Sequence, residues 1–268
     1  MIYGIKENKS FENVIFTYVV DSDQALKDWA DNIAGNDYSC VLIKKGTWNC
    51  EIGINLSVTR TKVVIGEVDS KLIFNSGKGL YYDELPDDAL YFMQNIFVEI
   101  KSSVASDDTI PFYKCVNLSN CKSIVSSSNG TGRAFSECRN LINCYGEGYG
   151  LNGGSGFYNC HSLTNCYGIA ITEAELNQCG FMGCYNLVNC RGEGYQRGFS
   201  GCSTMYGCRG YGANGYGFYS CTAISWCRAL KTSKTATFDT SNCSASVGSY
   251  NATYTVANTP EGGFNNLL

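Results

Sequence analysis

The residues of this chain most able to do chemistry are its sixteen cysteines, which could ligate metal, close disulfides or supply a nucleophile. Their spacing decides between these. Twelve of them fall in a block that recurs six times: Phe, Cys three residues on, an aliphatic residue three further, and a second Cys three beyond that. The copies are Phe112/Cys115/Leu118/Cys121, Phe135/Cys138/Leu141/Cys144, Phe157/Cys160/Leu163/Cys166, Phe181/Cys184/Leu187/Cys190, Phe199/Cys202/Met205/Cys208 and Phe218/Cys221/Ile224/Cys227. The cysteines of a block are six apart and no Cys-x-x-Cys occurs, whereas structural zinc sites favour ligands two to four apart. No metal and no cofactor is expected. Disulfides inside each block would need Cα atoms within about 7 Å, and synthesis in a reducing cytoplasm favours free thiols; both states stay open.

Other chemistry is sparse. The single histidine, His161, directly follows a block cysteine and reads as an outward surface residue, which leaves a Ser-His-Asp or Cys-His arrangement without its base. Paired carboxylates could cleave a glycosidic bond, and Glu147 and Glu193 are the catalytic candidates. They share one phase of the repeat, two copies apart, about 9–10 Å by strand stacking, with Ile169 between them. The residue after each second Cys runs Lys122, Tyr145, Tyr167, Arg191, Arg209 and Arg228. This outward stripe, with Tyr149, Tyr195, Tyr211 and Tyr216 nearby, could stack sugar rings and donate paired hydrogen bonds. It could equally pack subunits of a trimer. The candidate ligand-binding residues are Tyr145, Tyr149, Tyr167, Arg191, Tyr195, Arg209, Tyr211 and Arg228.

The elements that carry these residues must be stacked coils. Successive first cysteines lie 23, 22, 24, 18 and 19 residues apart, which is one circuit of a β-solenoid with the spacers absorbing the variation. Phe, Cys, aliphatic and Cys then point inward and sit roughly 4.7–4.9 Å above their counterparts. Cysteine suits such a ladder because it is small and behaves as a hydrophobe. A spacing of three requires short strands broken by corners, and Asn120, Asn143, Asn165 and Asn189 mark one corner, since Asn tolerates left-handed backbone angles and its amide can bond along the stack. The Gly-rich segments Tyr145 to Gly150 and Arg191 to Tyr195 are expected to be loops. The fold class is all-β, a single-stranded right-handed parallel β-helix; a left-handed solenoid would fit only the last two spacings.

The rest of the chain frames this array. Residues 1–20 form a lead-in. Residues 21–110 hold a capping helix over 21–35, with Asp21 and Ser22 as caps, Leu26, Trp29, Ala30 and Ile33 as its apolar face and Gly35 as its stop. Strand-like runs follow at Cys40 to Ile43, Lys62 to Ile65, Leu72 to Phe74 and Ile96 to Ile100. Residues 111–230 are the regular Cys/Phe ladder, and 231–268 a C-terminal cap or oligomerisation tail with a strand near Tyr250 to Val256. The net charge of −4 divides as 17 acidic and 10 basic side chains up to residue 110, then 7 and 10, so neither part has the basic excess of a nucleic-acid binder. No apolar run reaches the ~18 residues of a membrane span, and the opening residues lack the apolar core of a signal peptide.

Two stretches resemble known proteins. The helix, the strand ending in Lys44-Lys45-Gly46-Thr47-Trp48, and the strands Thr61 to Gly66 and Ser70 to Phe74 look like the start of pectate-lyase-like β-helix proteins. The repeat Gly-Phe-Tyr-Asn-Cys-His-Ser-Leu-Thr-Asn-Cys-Tyr-Gly at 156–168 resembles those of tail-fibre and tailspike-like proteins of gut bacteriophages and prophages. These resemblances imply a virion tail component made in the bacterial cytoplasm, commonly a homotrimer, that binds or cleaves surface polysaccharide. No motif matches the calcium-binding aspartates or catalytic arginine of the lyases. The expected function is therefore structural and receptor-binding, with glycan as partner and no membrane insertion; a polysaccharide lyase or hydrolase on the same scaffold and a bacterial surface adhesin are the alternatives.

Overall fold

A computed structural model gives the fold and describes residues 15–75, 77–86, 91–102, 109–127, 130–170, 177–213, 215–230, 237–238, 244–247 and 250–251. It is a parallel β-solenoid of right-handed type. Each complete coil contributes one short strand to each of three parallel sheets, which with the partial coils at the ends have 11, 9 and 10 strands. Within the regular array the first sheet carries the block's aliphatic residue, for example Arg139–Ile142 and His161–Thr164. The second carries its Phe, as in Gly132–Ser136 and Gly154–Tyr158. The third begins one residue after the second Cys, as in Tyr145–Gly150 and Tyr167–Ala170. They are called here the Leu, Phe and Tyr–Arg sheets.

Register follows the repeat without a slip through the regular array. Phe112, Phe135, Phe157, Phe181, Phe199 and Phe218 pair in turn, and so do Leu118, Leu141, Leu163, Leu187, Met205 and Ile224. The phenyl rings stack nearly parallel, with centroids 4.7 to 5.0 Å apart. In-register identity is why this works: each ring buries its faces against copies of itself, so one residue choice is repeated favourably at each step.

The block cysteines sit at the two corners that flank each Leu-sheet strand. All twelve are buried free thiols. Each occupies a bend where sheet pairing lapses and uses its S–H there: Cys138 Sγ lies 3.4 Å from Ser136 O and 3.5 Å from Phe112 O of the preceding coil, and Cys144 repeats this with Ile142 and Leu118. The ladder therefore supplies both apolar filling and a weak donor for carbonyls at the bend.

Left-handed residues recur three per coil, two at the corners just before the block cysteines and one within the Leu-sheet strand, rather than the one per coil that the asparagines suggest. In the first block they are Lys114, Asn117 and Asn120, with φ of 54°, 54° and 52°; in the last they are Ser220, Ala223 and Trp226, at 50°, 49° and 53°. Where asparagines stack they bond up the ladder as expected, Asn143 Nδ2 to Asn120 Oδ1 and Asn165 Nδ2 to Asn143 Oδ1, both at 3.3 Å. A second ladder adds Asn140 Nδ2 to Asn117 Oδ1 at 2.9 Å.

The Gly-rich segments are strands, not the loops expected of them. Tyr145–Gly150 and Arg191–Gly194 belong to the Tyr–Arg sheet, and their glycines are buried. Gly146, Gly168, Gly192 and Gly210 form a column that faces a second column, Gly156, Gly180, Gly198 and Gly217, on the Phe sheet. A Cβ on Gly156 would come within 2.6 Å of Gly168 Cα, and one on Gly168 within 2.4 Å of Gly180 O. Backbone thus packs on backbone where the two sheets converge, and glycine is selected for the missing side chain rather than for turning.

At the N-terminal end the helix α1, Asp23–Ala30, is shorter than the 21–35 expected. Ser22 caps it by accepting from Ala25 N at 3.1 Å. Leu26 and Trp29 are fully buried against the first coils, Trp29 donating to Thr61 Oγ1 at 3.1 Å. Asp31 ends the helix, so Ile33 falls beyond it and is exposed, while Gly35 is left-handed at φ 96°. The strand expected near Tyr250 to Val256 is present at Tyr250–Asn251; its remainder lies outside the described residues. A single apolar core runs from Val20 to Ala229.

Candidate functional site

Because the pleat alternates, every second residue of the Tyr–Arg sheet points outward, and stacking aligns these into columns. The first column reads Lys71, Phe97, Lys122, Tyr145, Tyr167, Arg191, Arg209 and Arg228. The second reads Ile73, Glu99, Ile124, Glu147, Ile169, Glu193 and Tyr211 over the coils from Lys71 to Arg209. Tyr149 stands in a third column beside Ser126, and Tyr195, two residues past Glu193, keeps the same phase. Seven of the eight residues expected to bind ligand therefore share one face, and Tyr195 lies in the bend directly after its strand.

The first column is stacked almost without a break. Lys71 and Lys122 lie over the Phe97 ring at 4.7 and 4.9 Å, and Lys122 lies 5.1 Å from the centre of Tyr145. Tyr145 meets Tyr167 edge-on at 5.4 Å, and Arg191 covers Tyr167 at 4.9 Å. Such contacts hold aromatic rings and cations in fixed orientations.

The second column alternates carboxylate and isoleucine, so Glu99, Glu147 and Glu193 are never adjacent, although like charges on neighbouring strands would repel. Two of the three are paired with cations and the third is held by phenols. Glu99 pairs with Lys71 and Glu193 with Arg191. Glu147 accepts from Tyr145 Oη and, at 3.4 Å, from Tyr149 Oη. The phenols respond accordingly: burial, followed by the Glu147 bond, pushes Tyr145 well above the usual phenol range and Tyr149 up to about 12. Burial, then Glu193, raises Tyr167 to about 12 as well. The register thus places the two catalytic candidates two coils apart with Ile169 between them, and each serves as an acceptor that orders its neighbours.

Three arginines, Arg191, Arg209 and Arg228, follow one another on consecutive coils of the first column, ahead of Tyr250, and all three are exposed. Unit charges one rung apart repel by about 1 kcal/mol in water. Among the described side chains from Lys71 to Arg228, the first two columns hold five cations, Lys71, Lys122, Arg191, Arg209 and Arg228, against three carboxylates. This is a local excess of two positive charges in a chain of net charge −4.

Other features lie off this face. His161 sits half-buried on the Leu sheet between Arg139 and Tyr185; burial, helped by Arg139, lowers its pKa. It borders a cavity of about 220 Å³ with Lys114, Glu137, Arg139 and Asn159. A second cavity, about 140 Å³, opens on the Phe sheet beside Arg133, Ser155 and Tyr158. There Arg133 stacks on Tyr158 at 3.8 Å, and Arg197 stacks on Tyr219 at 4.0 Å. Sequence reasoning missed these pairs, although a signal existed: both arginines stand two residues before a block Phe and both tyrosines one after. Among the described residues no group of three or more His, Cys, Asp or Glu is placed to hold a metal ion, and no helix is long and apolar enough to cross a membrane.

The architecture and this face define a parallel β-solenoid with one continuous aromatic and cationic surface. No protein-family model matches the chain, and no curated protein matches it. Among solved structures it is similar to ORF18 of Geobacillus virus E2, with 13% identity and a TM-score of 0.20 over 85% of this chain and 53% of that one. The chain spans about half the length of that protein, and a likeness of this degree carries no functional argument.

Proposed function

We propose that this chain is a rigid surface-binding protein whose Tyr–Arg sheet holds a glycan, and that it serves as a fibre or spike component of a phage or prophage tail. One observation carries the binding reading: Tyr145, Tyr149, Tyr167, Arg191, Arg209, Tyr211 and Arg228 fall on one sheet face, in ordered columns. Stacked tyrosines offer apolar platforms for sugar rings, arginines offer paired donors, and the solenoid behind them fixes both, so little side-chain freedom remains to be lost on binding. The tail assignment is drawn from the resemblance of the repeat to tail-fibre and tailspike-like proteins, and trimer formation belongs to the same proposal.

The test is a screen of the purified protein against bacterial surface and plant polysaccharides that records binding together with release of reducing or unsaturated ends. Binding without new ends, weakened at least tenfold by Tyr145→Ala with Tyr167→Ala, is the expected result. New ends abolished by Glu147→Gln or Glu193→Gln would replace this reading with an enzyme. Light scattering on the same material reports the oligomer.

A further inference from the structure

The Leu sheet lies apart from the Tyr–Arg face and is the least charged side of the molecule. Across its 11 strands Arg139 alone carries a formal charge. On the Tyr–Arg sheet, by contrast, every strand from Phe97–Ser102 to Arg228–Leu230 except Tyr167–Ala170 carries at least one. From Asn159 onward the Leu-sheet strands His161–Thr164, Tyr185–Val188, Ser203–Tyr206, Thr222–Ser225 and Ser244–Val247, with the corner residues that flank the first four, hold no Asp, Glu, Lys or Arg. Beyond Leu151, the exposed large hydrophobics among the described residues are Tyr185, Val188, Tyr206 and Trp226, and all four belong to this stretch. Register puts Val188 beside Tyr206, and Tyr206 beside Ser225, the neighbour of Trp226.

Trp226 is the unusual member of the patch. Its backbone is left-handed, φ 53°, at the corner where earlier coils place Asn120, Asn143, Asn165, Asn189 and Gly207. A bulky side chain is strained at such an angle, whereas Asn and Gly are not. The indole is 53% exposed, and among the described residues it makes no hydrogen bond or ring contact that would offset the strain.

We infer that a second copy of this chain covers the patch, the uncharged half of one Leu sheet packing on the same half of another. Symmetric copies present the same surface to each other; a charged face would meet its own sign, and this one has none to meet. Charged residues are depleted and Trp and Tyr enriched at the centre of such contacts. The size agrees. The five strands rise about 24 Å, and the chain runs about 20 Å from corner to corner, roughly 500 Å² a copy and about 1,000 Å² for a pair, which is the least that a specific interface needs. This rests on the self-association in the proposed function and gives it a face; the Tyr–Arg sheet stays open, so glycan binding does not depend on it.

The experiment is light scattering on the full chain over a concentration series, beside the double variant Tyr206→Ser, Trp226→Asn. Ser225 and Asn189 already hold the same positions on neighbouring coils, so the fold accepts these residues there, and an unchanged circular dichroism spectrum shows that the variant is folded. Expected are an oligomer in the native chain, at least a tenfold rise of its dissociation constant in the double variant, and no change with Tyr211→Ser on the Tyr–Arg sheet. Diluting the native chain into monomers should shift tryptophan emission to the red, a readout that needs no substitution. A native chain that stays monomeric, an oligomer that survives in the folded double variant, dissociation without the red shift, or dissociation by Tyr211→Ser alone overturns the inference. Polysaccharide binding is scored separately: a monomer that binds glycan leaves the binding reading standing without this interface, and an oligomer that the double variant splits but that binds no glycan does the reverse.

Discussion

Burial decides what the ladder cysteines can do. A thiol reacts as its thiolate, and burial holds Cys121, Cys138, Cys144, Cys160, Cys184 and Cys202 well above the ordinary thiol range. Cys40 is the only described cysteine that is not buried. A thiol reagent applied to the native protein should label Cys40 within minutes and the block cysteines only on unfolding, as read by mass spectrometry; rapid labelling of Cys160 would show that the ladder is open. The phenyl column is the stronger energetic element. Phe157 lies between Phe135 and Phe181 at 4.9 and 4.7 Å, and Phe157→Ala should cost about 3–5 kcal/mol through the cavity it leaves, measured by guanidinium unfolding. Tyrosines give the pH dependence. Tyr149 and Tyr167 are raised in the fold to about 12, against about 10 in the unfolded chain, so the folded state retains protons that the unfolded state loses. Their contribution is present below pH about 10 and lost as pH rises toward 12. Phenolate absorbance should show these groups titrating near pH 12, and Tyr149→Phe should flatten the alkaline fall of the thermal midpoint.

At the scale of elements, the convergence of the Tyr–Arg and Phe sheets depends on what glycine lacks. Gly168→Ala would set a Cβ 2.4 Å from Gly180 O and 2.9 Å from Phe157 Cδ2. Neither the backbone nor a ring held between two others can move away cheaply, so the substitution should destabilise by about 1–3 kcal/mol or more. At Gly201 a Cβ meets nothing within 4 Å, although φ there is 61°, and Gly201→Asn should be tolerated because Asn adopts that angle at neighbouring corners. Comparing their unfolding midpoints separates crowding from backbone angle; equal losses would refute the close-packing argument. These positions also show what could be read in advance. The Phe-Cys-aliphatic-Cys block identified coils, register and inward faces, because identical residues at fixed offsets can satisfy only an in-register stack. The glycines were misread because a turn and a close approach both demand Gly, and one sequence cannot separate them. Two of the three left-handed positions in each coil went unseen because Lys114, Glu137 and Ala223 occupy some of them, residues whose types do not announce φ > 0. The outward Tyr–Arg columns were legible because their phase is locked to the second Cys.

For the whole molecule, stability should be built coil by coil, since each coil touches mainly its two neighbours. Removing one complete circuit should therefore preserve the fold. Deleting 139–160 joins Cys138 to His161, and deleting 161–184 joins Cys160 to Tyr185; both keep the block phase. Their consequences on the outer face differ. The first brings Ile124 against Ile169, while the second brings Glu147 directly against Glu193 and so abolishes the Glu–Ile alternation. Both shortened chains should give a β-rich circular dichroism spectrum. At neutral pH the second should melt lower, because two carboxylates one rung apart repel. Repulsion raises their folded pKa above the unfolded value of about 4.3. The deficit should therefore be present at pH 7 and close as the pH falls through the raised folded pKa. Deficits that are equal at pH 7 and pH 4 would show that the alternating column has no electrostatic purpose, while loss of folded structure in both deletions would show that the coils are not interchangeable units.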